Sequence, residues 1–433
     1  MGKVIKYIVI ALLLAAAAFG VNYLIKYAKI GAGYNAKLAC SCHFISGRSI
    51  EDISAKDLYA VPLSKQTVDE ANKIVTSKVF GLIGRKAIYR PDVGCILMSD
   101  DEGKSIADIP SFKVSFPKSE LQDSILPGTQ KQKLDQILAK NISRGTGSRA
   151  LLVLKDGKIV GEQYAEGFNK NTSLIGWSMT KSITNAMIGI LVRDGILKTE
   201  NKGLFEEWKE DERREITIDN LLRMSSGLEF EEDYSKVSDA TKMLFLEKEA
   251  GKYALKSKLK YTPGNEFYYS SGTSNILQKL IRNTFTEQKY YLEFPYRRLF
   301  SKLGMTSAIM ETDAGGTYVG SSFMFATARD WAKFGQLYVM DGIWNGEQIL
   351  PPGWVSYSSK ITEDSDGEYA AHFWTYPRKD GLPEDSFLMD GYEGQFVLII
   401  PSSRLVIVRL GCTTPSDQFD EASYFKSISD LFL

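Results

Sequence analysis

WSMTKSITNAMIGILVRDG, residues 177–195, reads as an amphipathic helix with chemistry at its start. Ile183, Ala186, Met187, Ile190 and Leu191 recur at i, i+3, i+4, i+7 and i+8, and Gly195 after Arg193-Asp194 supplies a C-terminal stop. Ser178 therefore stands at or near the helix N-terminus. Lys181 follows three residues later, and at about 100° per residue it returns to within about 60° of the serine, so hydroxyl and amine can touch. The helix dipole favours negative charge developing beside Ser178. An amine partly removed from water has a lowered pKa, so a neutral Lys181 can accept the serine proton. Taken alone, S-x-x-K also describes an N-cap serine followed by a solvated lysine, and the flanking sequence has to decide.

That flanking sequence is poor in other nucleophile chemistries. The chain has two histidines, His43 and His372, whereas a serine triad needs a histidine held by a carboxylate and zinc hydrolases usually need two or more histidine ligands. No G-x-S-x-G elbow occurs, which argues against an α/β-hydrolase. Basic and acidic residues balance at 53 each, pointing to a small-molecule substrate and away from nucleic acid. Neither a metal nor a cofactor is expected. His372 and the tryptophans at 177, 331, 354 and 374 read as packed core residues rather than as a base or stacking platforms.

The fold class follows from the two ends of the region around this helix. Ala150-Leu-Leu-Val-Leu154, the turn dipeptide Asp156-Gly157 and the strand from Ile159 to Tyr164 make a β-hairpin. Phe396-Val-Leu-Ile-Ile400, a turn at Pro401-Ser402-Ser403 and Leu405 to Leu410 make a second. With helical sequence between them and a last helix-like stretch at Glu421 to Leu431, the expectation is α+β. It consists of a central antiparallel sheet flanked by helices, an all-helical insertion and a small N-terminal accessory region.

Tyr7 to Ile25 is a 19-residue run without a charge, flanked by Lys3, Lys6, Lys26 and Lys29. It is long enough to span a bilayer as a helix. Small-residue sites at Ala16-Ala17-Ala18 and Ala18-Phe19-Gly20 leave cleavage as a signal peptide open. Under either reading the remainder is exported, to the periplasm or the cell exterior. The expected organisation is an anchor or signal segment at 1–29, an accessory region of mixed structure at 30–125 and a catalytic domain at 126–433. Extended candidates at 73–83 and 87–90 fall in the accessory region, which ends in polar sequence around Pro117 and Pro127. Cys40, Cys42, Cys95 and Cys412 permit two disulfides in an oxidising compartment, with three pairings open. Cys40-Ser-Cys42-His43 lacks a second ligand pair for a metal, and Lys37 spoils the sequence before Cys40 as a lipobox.

Two further elements accompany Ser178 and Lys181. Tyr269-Ser270-Ser271 follows Pro263-Gly264-Asn265 and precedes the helix-like Asn275 to Leu280, and Gly391-Tyr392-Glu393-Gly394-Gln395 leads into the strand at 396. This order of S-x-x-K, a second polar element and a glycine-bearing strand resembles the serine β-lactamase and penicillin-binding-protein superfamily. The match extends over roughly residues 147–433. Within it the chain looks most similar to the class C β-lactamase-related branch, in particular 6-aminohexanoate-dimer hydrolases and related esterases. Trp177 to Ser182, Ile218 to Leu228 and Ala326 to Trp331 carry the same likeness.

The resemblance implies a β-lactamase/transpeptidase-like fold and an acyl-enzyme on Ser178, with Lys181 as activator and Tyr269 sharing the proton traffic. It also implies an oxyanion site from the backbone N–H groups of Ser178 and Gln395, beside Gly394. Tyr234, after Glu231-Glu232-Asp233, matches a substrate-lining tyrosine of the dimer hydrolases; by itself it reads equally well as a surface loop tyrosine. Two departures bear on substrate. Ser271 stands where the family has asparagine, and Tyr392 stands where lysine or histidine would attract the carboxylate of a penicillin. The expected function is a serine esterase or amidase acting on a small ester or linear amide. A β-lactamase or D,D-peptidase is the alternative among enzymes of this fold, and a catalytically silent membrane-bound sensor the alternative from another functional class.

Overall fold

The computed structural model describes residues 2–98, 109–117 and 120–433, so the accessory-region residues 99–108 and 118–119 lie outside it. Its centre is a five-stranded antiparallel sheet. Strands β5 (Ser148–Lys155) and β6 (Lys158–Tyr164) form the first hairpin, with positive φ at both Asp156 and Gly157, as a two-residue type I′ turn requires. The chain returns some 220 residues later as strands Phe387–Gly391, Gln395–Ile400 and Leu405–Gly411, the last pairing with β5 in the register Val406 to Leu154 and Val408 to Leu152. Strand Phe387–Gly391 is one edge and β6 the other.

Alternate residues feed two cores, which is why these strands are continuous apolar runs. Leu152, Leu154, Val397, Val406 and Val408 face the large helical region that contains the 177–195 helix. Leu151, Val153, Leu398, Leu405 and Ile407 face the helices Gly128–Asn141 and Glu421–Ser429 through Leu134, Leu138, Tyr424 and Phe425. The inserted region is mostly helical, not all-helical as the sequence suggested. It also carries a three-stranded ribbon, Leu174–Ile175 with Met324–Ala326 and Ile309–Met310, and a short hairpin, Ile343–Trp344 with Glu347–Gln348.

The N-terminus differs most from its sequence reading. Helix α1 runs unbroken from Gly2 to Phe44, so a junction at 29 and 30 falls inside it. Residues 4–27 are exposed and 30–42 almost entirely buried. The buried half packs on a four-stranded antiparallel sheet, β1 (Ser64–Asp69), β2 (Ile74–Val79), β3 (Ile83–Arg90) and β4 (Gly94–Leu97). The extended candidate at 73–83 is β2 and the turn Phe80-Gly81-Leu82 that leads into β3.

Three bonds fix α1. Cys40 and Cys95 form a disulfide to β4. Lys37 Nζ makes a buried ion pair with Glu311 Oε2 at 2.6 Å, and Ser41 donates to Glu311 Oε1 at 2.8 Å. Cys42 and Cys412 are reduced and buried, so one bridge forms where the even cysteine count allowed two.

Candidate active site

The nucleophile segment begins with a backbone conformation that bulky side chains seldom adopt. Trp177 has φ of 46°, in the left-handed region. Its ring holds it there, donating from Nε1 to Glu393 Oε2 at 3.2 Å and stacking on Tyr34 of α1 with centroids 6.1 Å apart. A turn of 3-10 helix at Trp177–Met179 then runs directly into the α-helix Thr180–Arg193. Ser178 and Lys181 thus share the first turns, where backbone N–H groups lack intrahelical acceptors.

Lys181 is 2% exposed and its Nζ has three oxygen partners: Ser178 Oγ at 3.1 Å, Ser271 Oγ at 3.0 Å and the Ser321 carbonyl at 3.0 Å. Burial lowers its pKa to about 8, against the opposing pull of the Glu232 and Asp390 carboxylates. A neutral amine is accessible near neutrality, at hydrogen-bond distance from the hydroxyl it has to deprotonate.

The second element surrounds that amine. Ser270 caps the helix Ser271–Asn283 by accepting from the N–H groups of Gly272 and Thr273, leaving the Ser271 hydroxyl to face Lys181. Glu232 grips Ser271 twice, accepting from its hydroxyl at 2.5 Å and its backbone N–H at 2.8 Å, and it also accepts from the Tyr234 hydroxyl at 2.7 Å. Tyr234 Oη lies 3.1 Å from Ser271 Oγ. The ring of Tyr269 lies under Lys181 Nζ at 4.9 Å, beside the amine that bonds Ser178 Oγ. Burial and the Glu232 carboxylate hold the Tyr269 pKa well above that of a free phenol.

The third element is displaced by one strand from its sequence reading. The edge strand Phe387–Gly391 abuts the nucleophile turn, and a Cβ on Gly391 would stand 2.2 Å from the Gly176 carbonyl oxygen, so only glycine permits this approach. Tyr392, the next residue, lines the cleft with Ser178, its ring edge-on to Trp177 at 5.8 Å and stacked on Tyr234 at 6.3 Å. Gln395 is fully buried on the following strand. Its amide donates to the carbonyls of Tyr392, Glu393 and Gly411 and accepts from the Gly411 N–H. Gly394 has φ of 76° and its carbonyl accepts from Arg409. Ser178, Lys181, Tyr269, Ser271, Tyr234 and Tyr392 therefore converge, whereas Gly394 and Gln395 hold the hairpin behind them.

Two carboxyl groups escaped the sequence reading. Glu232 was visible only as part of an acidic run quoted for Tyr234. Asp390 sits on the edge strand, where burial and the nearby Glu421 push its pKa up to about 8, and the Tyr376 hydroxyl donates to both carboxyls. The histidines stand outside this chemistry. His372 is buried between the Leu222 carbonyl and Ser274, its pKa lowered to about 3 by burial, and His43 pairs with Glu70 and the Arg48 carbonyl.

A serine and a buried lysine at the head of a helix, set against the edge of an antiparallel sheet closed by both ends of its domain, define a serine hydrolase of the β-lactamase fold. The profile of the family described as Beta-lactamase matches residues 131–426, and the chain belongs to that family. It is 22% identical over 294 residues to the 6-aminohexanoate-dimer hydrolase of Paenarthrobacter ureafaciens, covering 61% of this chain and 72% of that one. Among solved structures it is similar to a family VIII carboxylesterase, with a TM-score of 0.56, 14% identity and coverage of 72% and 99% of the two chains. It is likewise similar to a penicillin-binding-protein homologue from Caulobacter crescentus, with a TM-score of 0.52, 13% identity and coverage of 71% and 97%.

Proposed function

We propose that the protein is a membrane-anchored esterase or amidase that works through an acyl-Ser178 intermediate, with its catalytic domain outside the cytoplasmic membrane. The contact between Lys181 Nζ and Ser178 Oγ, made by an amine whose pKa is lowered to about 8, carries this reading. Lys181 takes the serine proton as Oγ attacks the substrate carbonyl. Tyr269, whose ring lies against the same amine, relays the proton to the leaving group. We assign the oxyanion site to the backbone N–H groups of Ser178 and Tyr392, because the strand ending at Gly391 meets the nucleophile turn. Ser271 takes the asparagine's place as a partner of the lysine, with Glu232 setting its orientation. Water then releases the acyl group.

The anchor rests on α1, which is long and apolar enough to cross a membrane and has its apolar half exposed. The Cys40–Cys95 bridge favours an oxidising compartment. Against a penicillin as substrate stands the edge strand Phe387–Gly391, which carries no lysine, arginine or histidine to receive the carboxylate. The test is a fluorophosphonate probe applied to the full chain in detergent. Labelling is expected on wild type and absent from Ser178→Ala; an unlabelled wild type contradicts the reading.

A further inference from the structure

The cleft at Ser178 extends toward the N-terminal helix. It continues into a cavity of about 730 Å³, whose far wall is helix α1. Val21, Leu24, Ile25, Ala28, Gly31 and Tyr34 line it. They recur at i, i+3, i+4, i+7, i+10 and i+13, a single helix face. The first three belong to the charge-free run that is exposed along its length, and the last stacks on Trp177, the neighbour of the nucleophile. At 1.5 Å per residue this face covers about 20 Å. One bilayer leaflet holds about 15 Å of hydrocarbon.

The opposite wall comes from the accessory region, through Val61 and Leu63 ahead of β1, Phe80 in the β2–β3 turn and Ile83 at the start of β3. The two turns facing α1 expose large apolar side chains: Leu63 is 64%, Phe80 68% and Leu82 86% exposed. They lie next to one another, since the Phe80 N–H donates to the Leu63 carbonyl at 3.2 Å. Because Leu63 and Phe80 share the cavity with Val21 and Leu24, these turns sit level with the last part of the apolar run. With Tyr7 to Ile25 in a bilayer, Leu63, Phe80 and Leu82 meet its acyl boundary, where isolated exposed apolar side chains are stabilised.

We propose, building on the acyl-serine reading above, that the substrate is a long-chain acyl ester or amide drawn from the bilayer, its hydrocarbon lying along α1 and its carbonyl at Ser178. For an ester, Ser178 Oγ bonds to the carbonyl carbon as its proton passes to Lys181. The bond from that carbon to the alcohol oxygen breaks, and the alcohol leaves with the proton. Water then adds to the acyl carbon and gives a proton to Lys181; the bond from that carbon to Oγ breaks, Oγ takes that proton, and the fatty acid departs. The accessory sheet thereby acquires a role: with α1 it forms an acyl channel.

The test uses the full chain and two esters, p-nitrophenyl butyrate and p-nitrophenyl dodecanoate, in detergent micelles and in phosphatidylcholine vesicles. Wild type is expected to favour dodecanoate over butyrate in kcat/KM by roughly tenfold or more, given the free energy of burying methylenes. Ala28→Trp and, from the opposite wall, Ile83→Trp should each lower that ratio by about tenfold, reading the blocked channel rather than total activity. Leu82→Glu should lower dodecanoate hydrolysis in vesicles several-fold relative to micelles. Wild type that takes the fluorophosphonate probe yet prefers butyrate, or a ratio unmoved by both channel variants, overturns the inference and leaves the acyl-serine reading intact. Wild type that takes no probe and hydrolyses neither ester overturns both.

Discussion

On one side of Ser178 the cleft is polar and crowded with hydrogen bonds: Lys181, Ser271, Glu232 and Tyr234 are linked at 2.5–3.1 Å. On the other side it is walled by a helix face, the segment leading into β1 and the β2–β3 turn, with almost no polar atoms, and held by one disulfide and one buried ion pair. The polar wall sets proton affinity, because each charge near Lys181 alters the cost of its ammonium in a buried site. The apolar wall cannot do that, and selects by shape and by exclusion of water. Chemistry and substrate choice are thus separable, and substitutions should sort by wall.

The largest effect is expected on the polar wall. Lys181→Ala should lower turnover of p-nitrophenyl butyrate by about 10³-fold, the usual scale for losing a positioned proton acceptor, while circular dichroism stays unchanged. Residual activity within tenfold of wild type would break the division of labour.

Next comes the tie of the apolar wall. Cys95→Ser opens a bridge between residues 55 apart in sequence and should cost about 3–4 kcal/mol of stability, seen as a lower Tm in detergent. Butyrate turnover at temperatures below the transition should survive, since no atom of the polar wall is touched.

A smaller effect concerns pH. Lys181 has to be neutral to accept a proton, so kcat/KM for butyrate should rise with pH through about 8. Glu232 favours the ammonium form, so Glu232→Gln should move that midpoint to lower pH, by about one unit or less. A midpoint that stays put or moves up would show that Glu232 does not act on the lysine. Smallest of all, Tyr392→Lys should raise the rate of capture of a fluorescent penicillin by several-fold, on the scale of one exposed ion pair.

The polar wall was largely legible in the sequence because its logic is local. Ser178 and Lys181 are one helical turn apart, and the apolar periodicity after them fixes the face they share. The hairpins at either end of the catalytic domain declared themselves through Asp156-Gly157 and unbroken apolar runs. The third element slipped by one strand because two apolar strands flank a loop of only three residues, 392–394, and the residue that must be glycine is Gly391, set by a contact with Gly176 far away in sequence. Glu232 escaped for a related reason, since its partner Ser271 lies 39 residues on. The apolar wall was illegible for a stronger one. Residues 26–44 have no proline to stop a helix, and nothing local announces that Ser41 will meet Glu311, 270 residues distant. An apolar helix that continues as a docked one looks, in sequence, like a helix that ends.

The claim at the centre of this account is a covalent acyl group on Ser178, and the most direct measurement is the mass of the enzyme during turnover. Protein quenched with acid while hydrolysing p-nitrophenyl dodecanoate should carry one added dodecanoyl group, on the peptide containing Ser178, and Ser178→Ala should show neither adduct nor turnover. Turnover that persists in Ser178→Ala, or an adduct on any other residue, would contradict it.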